Sequence, residues 1–349
     1  MAKEKIIRVG VVGLGFMGRT HIAAYEGAHA AGFANRLVAV ADTNPERRSG
    51  RTAPDGNLTQ GDVTKPLFDT TSVKCYATAA ELIADPEIDL VSICTHTDTH
   101  VDFATAAITA GKHVLVEKPV GVDAETIKPL AALVRRKKRL LCMPALCIRF
   151  WPAYAWLKQR IDDGAFGKVR SAVFQRLGTH PKWGGGFYSD PTRSGGALVD
   201  LHLHDVDFLR YALGDPSAVT STGSLDHVTS LFHYEAGPEH VVAEGAWDHH
   251  TGFQFRMRFI VVFEHATVDF DFGRAPSLLL IKDGKSEAVE IDGLSGYDVE
   301  IRYLLTAIRD KRKDILSTVQ GAYDTARLLD AERKSLESKK PVKFKSSRP

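Results

Sequence analysis

Residues 200–211 read Asp-Leu-His-Leu-His-Asp-Val-Asp-Phe-Leu-Arg-Tyr, a run that suits two different chemistries. As a helix it would set Asp200, His204 and Asp207 on one face and turn His202 away. As a strand it would pair His202 with His204 as an H-x-H metal site of a hydrolase, with Asp200 or His249 and His250 as further ligands. The apolar residues Leu201, Val206, Phe208, Leu209 and Ala212 continue past the histidines, and Gly214 with Pro216 supplies a stop, so the helix is preferred. A carboxylate one turn before an imidazole holds its tautomer and supports its charged form, as an oriented proton carrier requires. The same spacing also suits an ordinary surface helix with Asp–His pairs.

A proton carrier needs a reaction to serve, and the other half of the chain offers one. The apolar run Ile6 to Val12 leads into Gly13-Leu14-Gly15-Phe16-Met17-Gly18 and then into an alanine-rich stretch from Arg19 to about Ala30. Strand, glycines and helix in that order form the dinucleotide fingerprint. Gly13 allows the tight turn, Gly15 lets a pyrophosphate approach the backbone, and Gly18 lets helix and strand pack closely. The phosphates would sit on the helix N-terminus. A second strand, Leu37 to Ala41, ends in Asp42, near the expected spacing for a carboxylate that accepts from ribose hydroxyls. This favours NAD over NADP, although Arg47 and Arg48 stand close enough to soften repulsion of an extra phosphate.

Strands at Ile88 to Cys94, His113 to Val116 and Leu140 to Met143 alternate with helices at Val101 to Ala110 and from Asp123. Repeated βα units predict a doubly wound parallel sheet with ligand at the strand C-termini. Two such ends carry Thr95-His96-Thr97-Asp98-Thr99-His100 and Glu117-Lys118-Pro119. An ammonium at Lys118, beside a nicotinamide, could hydrogen-bond the oxygen being oxidised or reduced; its plainer reading is a solvated lysine. The segment from Gly50 to Pro66, rich in Gly, Thr and Asp, reads as a surface insertion without chemistry.

Beyond residue 168 the pattern changes to β-branched and aromatic runs at 168–180, 218–236, 240–248, 253–272 and 277–292, followed by helices at about 299–310 and 320–338. A chain of 349 residues has room for two such domains. Apolar residues at 44% and charged residues at 25% are ordinary for a protein in water, and no run approaches the length of a membrane span. The N-terminus reads as a first strand and no signal peptide. A net charge of +2 gives no reason to expect nucleic acid or a membrane as partner. The cysteines at 75, 94, 142 and 147 form no C-x-x-C pair, and Cys94 and Cys142 fall in apolar runs, which suits a reducing, cytoplasmic compartment.

Taken together, G-L-G-F-M-G, the strand ending in Asp42, E-K-P at 117–119 and D-x-x-x-H at 200–204 resemble the glucose-fructose oxidoreductase / inositol dehydrogenase / MocA (Gfo/Idh/MocA) family. The likeness covers nearly the whole chain. It implies a Rossmann domain over residues 1–145 and, over 146–349, a substrate and oligomerisation domain of α+β class built on a large open, mostly antiparallel sheet, assembling as a homodimer or homotetramer through that sheet. It implies that Lys118, Asp200 and His204 form the catalytic group and that Gly13, Gly15, Phe16, Met17, Gly18, Asp42, Thr95, His100, Glu117 and Lys118 hold the cofactor. Asp207 matches an aspartate that contacts the polyol in inositol dehydrogenase-like members, and Arg149 matches a substrate-facing position. His180, Trp151, Trp183 and Trp247 are further candidates for sugar contacts. One departure is visible, because the third strand end commonly reads Thr-Pro and here reads Thr95-His96.

The expected reaction is reversible hydride transfer between a nicotinamide and a secondary alcohol of a sugar or cyclic polyol, with no metal. His204 would take the hydroxyl proton, Asp200 would orient His204, and Lys118 would stabilise alkoxide character. A rival reading is a regulator that binds the cofactor without turnover, because fold transfers more readily than reaction. The metal-dependent hydrolase leaves the glycines, Asp42 and E-K-P unexplained.

Overall fold

The computed structural model describes residues 5–50 and 66–346. Most of the segment read as a surface insertion, residues 51–65, lies outside them. The first strand, β1 (Ile7–Val12), is buried at every position but Arg8, as a strand covered on both faces must be. It pairs in parallel with β2 (Asn35–Ala41) and β4 (Leu90–Ile93); β3 (Lys74–Tyr76), β5 (His113–Val116) and β6 (Cys142–Pro144) complete a parallel sheet in the order β3-β2-β1-β4-β5-β6. This is the doubly wound order, which reverses at β1 and β4 and opens a crevice at their C-terminal ends.

The helices follow their local signals. The first, α1 (Phe16–Ala30), starts at Gly15; α2 (Pro45–Arg48) is one turn; α3 (Ala79–Ala84) opens on a Thr78/Glu81 capping box; α4 (His100–Thr109) is followed by Gly111 at φ +82°; and α5 (Ala124–Arg136) is capped by Asp123.

The second sheet runs β14-β13-β12-β11-β7-β10-β9-β8-β15. Its members are β7 (Val169–Thr179), β8 (Ala218–Gly223), β9 (His227–His233), β10 (His240–His249), β11 (Arg256–Phe263), β12 (Thr267–Asp271), β13 (Leu278–Lys282), β14 (Lys285–Ala288) and β15 (Val342–Lys343). β7 and β10 run parallel; the other pairs are antiparallel. The runs expected at 218–236, 253–272 and 277–292 each fold as a hairpin. Burial alternates along the strands, so that Phe174, Met257, Phe259 and Phe270 face one core. That core is covered by α6 (Pro152–Asp162), α9 (Leu203–Leu213) and part of α11 (Val319–Ser338). Between β7 and β8 in the chain, and before α9, come α7 (Pro191–Ser194) and α8 (Gly196–Asp200), and α10 (Gly296–Arg309) precedes α11.

The chain crosses back at its end. Ile301, Leu304 and Leu305 of α10 pack into the core beside β1, and Val319, Ala322 and Ala326 of α11 pack on the opposite side of the first sheet. Farther along the same helix, Leu328 and Leu329 enter the second core. One 20-residue helix therefore ties the nucleotide-type sheet to the antiparallel one.

The run at 200–211 departs from the expected single helix. It breaks after Asp200, turns through Leu201 and His202, and restarts at Leu203. His202 N–H donates to Ala197 O at 2.8 Å, which closes the first helix instead of extending it.

Candidate active site

The glycine turn is built for a close ligand. Gly13 sits at φ +86°, a conformation side chains disfavour, and a Cβ at Gly18 would lie 1.8 Å from the Gly13 carbonyl oxygen. α1 begins at Gly15, which has no side chain to cap it, and this positive helix end borders the cleft. Gly13, Gly15, Phe16, Met17 and Asp42 line that cleft. Asp42 also shapes the turn: its carboxylate accepts from Leu14 N–H at 2.7 Å and from Asn44 N–H at 2.8 Å. Arg47 stands 3.9 Å from the same carboxylate, and Arg48 donates to the Asp42 carbonyl at 2.6 Å.

Thr95 and His96 form the facing wall. Where the family commonly carries proline, His96 stacks on Phe187, ring centroids 4.5 Å apart at 8°, so the departure adds an aromatic wall. His100 does not line the cleft. Its ring nitrogens lie 2.7 Å from Pro119 O and 3.0 Å from Thr95 O, joining the loop after β4 to the loop after β5.

Glu117 and Lys118 follow β5 directly. Glu117 is buried, with one oxygen 2.9 Å from His21 Nε2 and the other accepting from the Lys118 N–H at 3.0 Å. His21 is fixed in turn by Ser92 Oγ, 2.8 Å from Nδ1. The Lys118 ammonium donates to the Asp200 carboxylate at 3.2 Å and to the Asp200 main-chain carbonyl at 2.9 Å. Asp200 therefore orients Lys118, and no hydrogen bond joins it to His204 among the described residues. This corrects the expected Asp200–His204 couple: the helix break turns Asp200 toward the lysine.

Lys118, Asp200 and His204 open onto one cavity, walled by Trp151, Trp183 and Trp247 together with Tyr188 and Tyr297. All three candidate tryptophans thus face the same space. His204 is half-buried, and its Nδ1 has no hydrogen-bond partner among the described residues. Burial first, then the charges of Lys118 and Arg176, push its pKa well below the usual imidazole value, so the ring is neutral at neutral pH. Arg176 also reaches this cavity. It is locked in a buried pair with Asp205, at 2.9 and 3.0 Å. Sequence reasoning missed it, yet it shares a strand face with buried Phe174, and a charge at an inward position is a readable signal.

Three expected substrate contacts sit elsewhere. Arg149 and Asp207 form a buried bidentate pair, both contacts at 2.7 Å, and Thr325 adds a hydrogen bond to Asp207 at 3.0 Å. Neither lines the cavity: Asp207 follows the helix break by more than a turn and faces α11. His180 stacks edge-on against Trp247, centroids 5.3 Å apart, and so backs the cavity wall. His202 is fully buried against Glu332, so His202 and His204 do not converge as a metal pair.

Comparison with known proteins identifies the family and the fold. Residues 7–145 match the family model described as an oxidoreductase family with an NAD-binding Rossmann fold, and residues 154–269 match the GFO/IDH/MocA C-terminal domain. Inositol 2-dehydrogenase of Rhizobium meliloti is 32% identical over 229 residues, covering 63% of this chain and 59% of that protein. Levoglucosan dehydrogenase of Pseudarthrobacter phenanthrenivorans is 30% identical over 227 residues, 62% of this chain and 53% of its own length. The matched part therefore spans little more than half of these relatives. Among solved structures, a levoglucosan dehydrogenase in complex with NADH and levoglucosan superimposes with a TM-score of 0.83 at 21% identity, covering 98% of this chain and all of that one. UDP-N-acetylglucosamine 3-dehydrogenase from Acidithiobacillus ferrooxidans gives 0.75 at 23%, covering 96% and 99%. With both halves matched in order and the glycine turn, E-K-P and D-x-x-x-H segments converging on one cleft, the chain belongs to the Gfo/Idh/MocA oxidoreductase family.

Proposed function

We propose that the protein is a dehydrogenase that uses NAD in preference to NADP and moves a hydride between the cofactor and a secondary alcohol or ketone of a sugar or cyclic polyol. The observation that carries this reading is a shared wall: Phe16, Met17, Lys118, Trp183, Tyr188 and Asp200 line both the nucleotide cleft and the tryptophan-walled cavity. A reacting carbon at that junction would meet cofactor and proton-handling groups together.

The start of α1 at Gly15, the glycines and Asp42 fit a dinucleotide, and Asp42 would meet its ribose hydroxyls. Bound NAD supplies the hydride acceptor. Neutral His204 accepts the hydroxyl proton as the hydride leaves, and the Lys118 ammonium, held by Asp200, stabilises negative charge growing on the same oxygen. The tryptophans exclude water and offer flat faces to a ring.

The reading also divides the labour. Residues 1–145 would bind the nucleotide, and 146–349 would bind substrate and a second copy of the chain through the open sheet, as a homodimer or homotetramer. Among the described residues no helix is long and apolar enough to cross a membrane. The cysteines are all free thiols, three of them buried, which supports a cytoplasmic setting.

The test is a panel of inositols, anhydro sugars, aldoses and keto sugars, each with NAD and NADP, read by NADH absorbance. Turnover with at least one polyol or sugar, faster with NAD, is expected. Tight NADH binding without turnover across the panel would instead identify a cofactor-binding regulator.

A further inference from the structure

His202 lies between Asp200 and His204, yet its side chain points away from the cavity into a buried polar cluster. Its Nε2 is 2.9 Å from Glu332 Oε2, and that oxygen also accepts from Ser230 Oγ at 2.6 Å. All three residues are 0% exposed. Beneath the ring, β10 carries glycine: a Cβ at Gly245 would lie 2.6 Å from His202 Cβ and 2.8 Å from its Nδ1. A buried imidazole–carboxylate pair carries a desolvation cost that well-packed apolar side chains avoid, and among the described residues His202 Nδ1 and Glu332 Oε1 have no hydrogen-bond partner to offset it. Such a pair specifies direction more than it adds stability.

The direction concerns the main chain at Asp200. In an unbroken α-helix the Asp200 carbonyl would accept from the N–H of residue 204. Here His204 N–H goes to Leu201 O at 3.3 Å, because the chain turns at Leu201 and His202. The Asp200 carbonyl is thereby released, and it takes the Lys118 ammonium at 2.9 Å. The helix break is what makes the lysine's main-chain acceptor available.

The anchor is placed to sense the cofactor side as well. Glu332 belongs to α11, where Asp330 accepts from Ala124 N–H at 3.1 Å and Arg333 donates to Val122 O at 3.4 Å. Val122 and Ala124 follow shortly after Lys118-Pro119. One helix thus fixes both the chain that carries Lys118 and the turn that receives its ammonium.

We propose that the His202–Glu332 pair, seated on Gly245, is a positioning device that holds the 200–202 turn open so that the Asp200 carbonyl grips Lys118. The assignment rests on the dehydrogenase reading for what Lys118 does, and it is tested without that reading. Full-length protein is acetylated with N-hydroxysuccinimidyl acetate and the rate at Lys118 is followed by peptide mass spectrometry, with Lys5, whose side chain is 82% exposed, as internal reference. E332A should expose the lysine and raise its acetylation rate several-fold at unchanged Lys5 rate. E332Q, which keeps an acceptor oxygen at the same place, should restore slow labelling. G245A displaces the same ring while leaving both members of the pair in the sequence and should imitate E332A; it serves if E332A does not fold. With myo-inositol or levoglucosan, whichever turns over, kcat should fall about tenfold with KM changed less than twofold. Folded E332A and G245A that both label Lys118 at the wild-type rate would overturn the proposal, whatever their turnover. Absence of turnover with every substrate would instead count against the dehydrogenase reading and leave the labelling result standing.

Discussion

A lysine and a histidine that share a cavity cannot both be charged cheaply, and here the asymmetry is built in. The Lys118 ammonium has two acceptors from Asp200, whereas His204 has no carboxylate partner among the described residues and sits near two cations, Lys118 and Arg176. Since its pKa lies below the usual imidazole value, the proton-accepting form survives as the pH falls through about 6.5. In the oxidation direction kcat/KM should therefore stay level through that pH and break only at lower values; a break near neutrality that vanishes in H204A would contradict this. Lys118→Met should lower kcat by roughly 10²–10⁴-fold while NADH binding, followed by fluorescence, changes little. Arg149 and Asp207 make the opposite prediction. Removing one partner of a buried ion pair strands the other, so Asp207→Ala should cost about 3–5 kcal/mol in denaturant unfolding with KM nearly unchanged in the folded fraction. The family resemblance implied a substrate contact for Asp207, but a side chain 58 positions away decides where it points, and no local pattern carries that information.

Elements whose causes are local were the readable ones. The glycine turn, the Asp123 cap, Gly111 after α4 and the alternation of β11 each follow from a few neighbouring residues, and each appears close to its expected place. The break after Asp200 has a distant cause, the contact of His202 with Glu332 across 130 positions. A helical pattern runs through it unmarked. The hairpins inside the long β runs were missed for a different reason, because turns such as Ser224-Leu225-Asp226 interrupt β-rich composition only briefly. For the glycine turn the structure adds a magnitude. A methyl group at Gly18 would stand 1.8 Å from the Gly13 oxygen, a contact only a backbone shift can relieve. Gly18→Ala should thus weaken NADH binding by at least about tenfold, a loss of roughly 1.4 kcal/mol, in fluorescence titration. Unchanged affinity would mean that the turn does not hold the cofactor.

At the scale of the whole molecule, the antiparallel sheet covers one face with helices and leaves the other open. Register aligns four apolar residues straight across that open face: Leu231 opposite Val242, Val242 beside Val173, and Val173 opposite Ile260. Each is only partly buried, while its strand neighbours on the other face form the core. A row of aliphatic side chains crossing the middle of a sheet, with Glu244 and Gln175 at its flank, would supply the apolar centre and polar rim of an interface between copies. A second copy related by a two-fold axis would set this row against itself, which suits a side chain pattern nearly symmetric about β7 and β10. Ile260→Asp would place two like charges near that axis without touching the inward core. It should weaken self-association by at least about 30-fold, or 2 kcal/mol, and shift the mass measured by light scattering to that of one chain, with thermal stability lowered in step because an apolar face would then meet water. If the wild-type protein is already a single chain in solution, or if Ile260→Asp leaves the mass unchanged, the open face is not where copies meet.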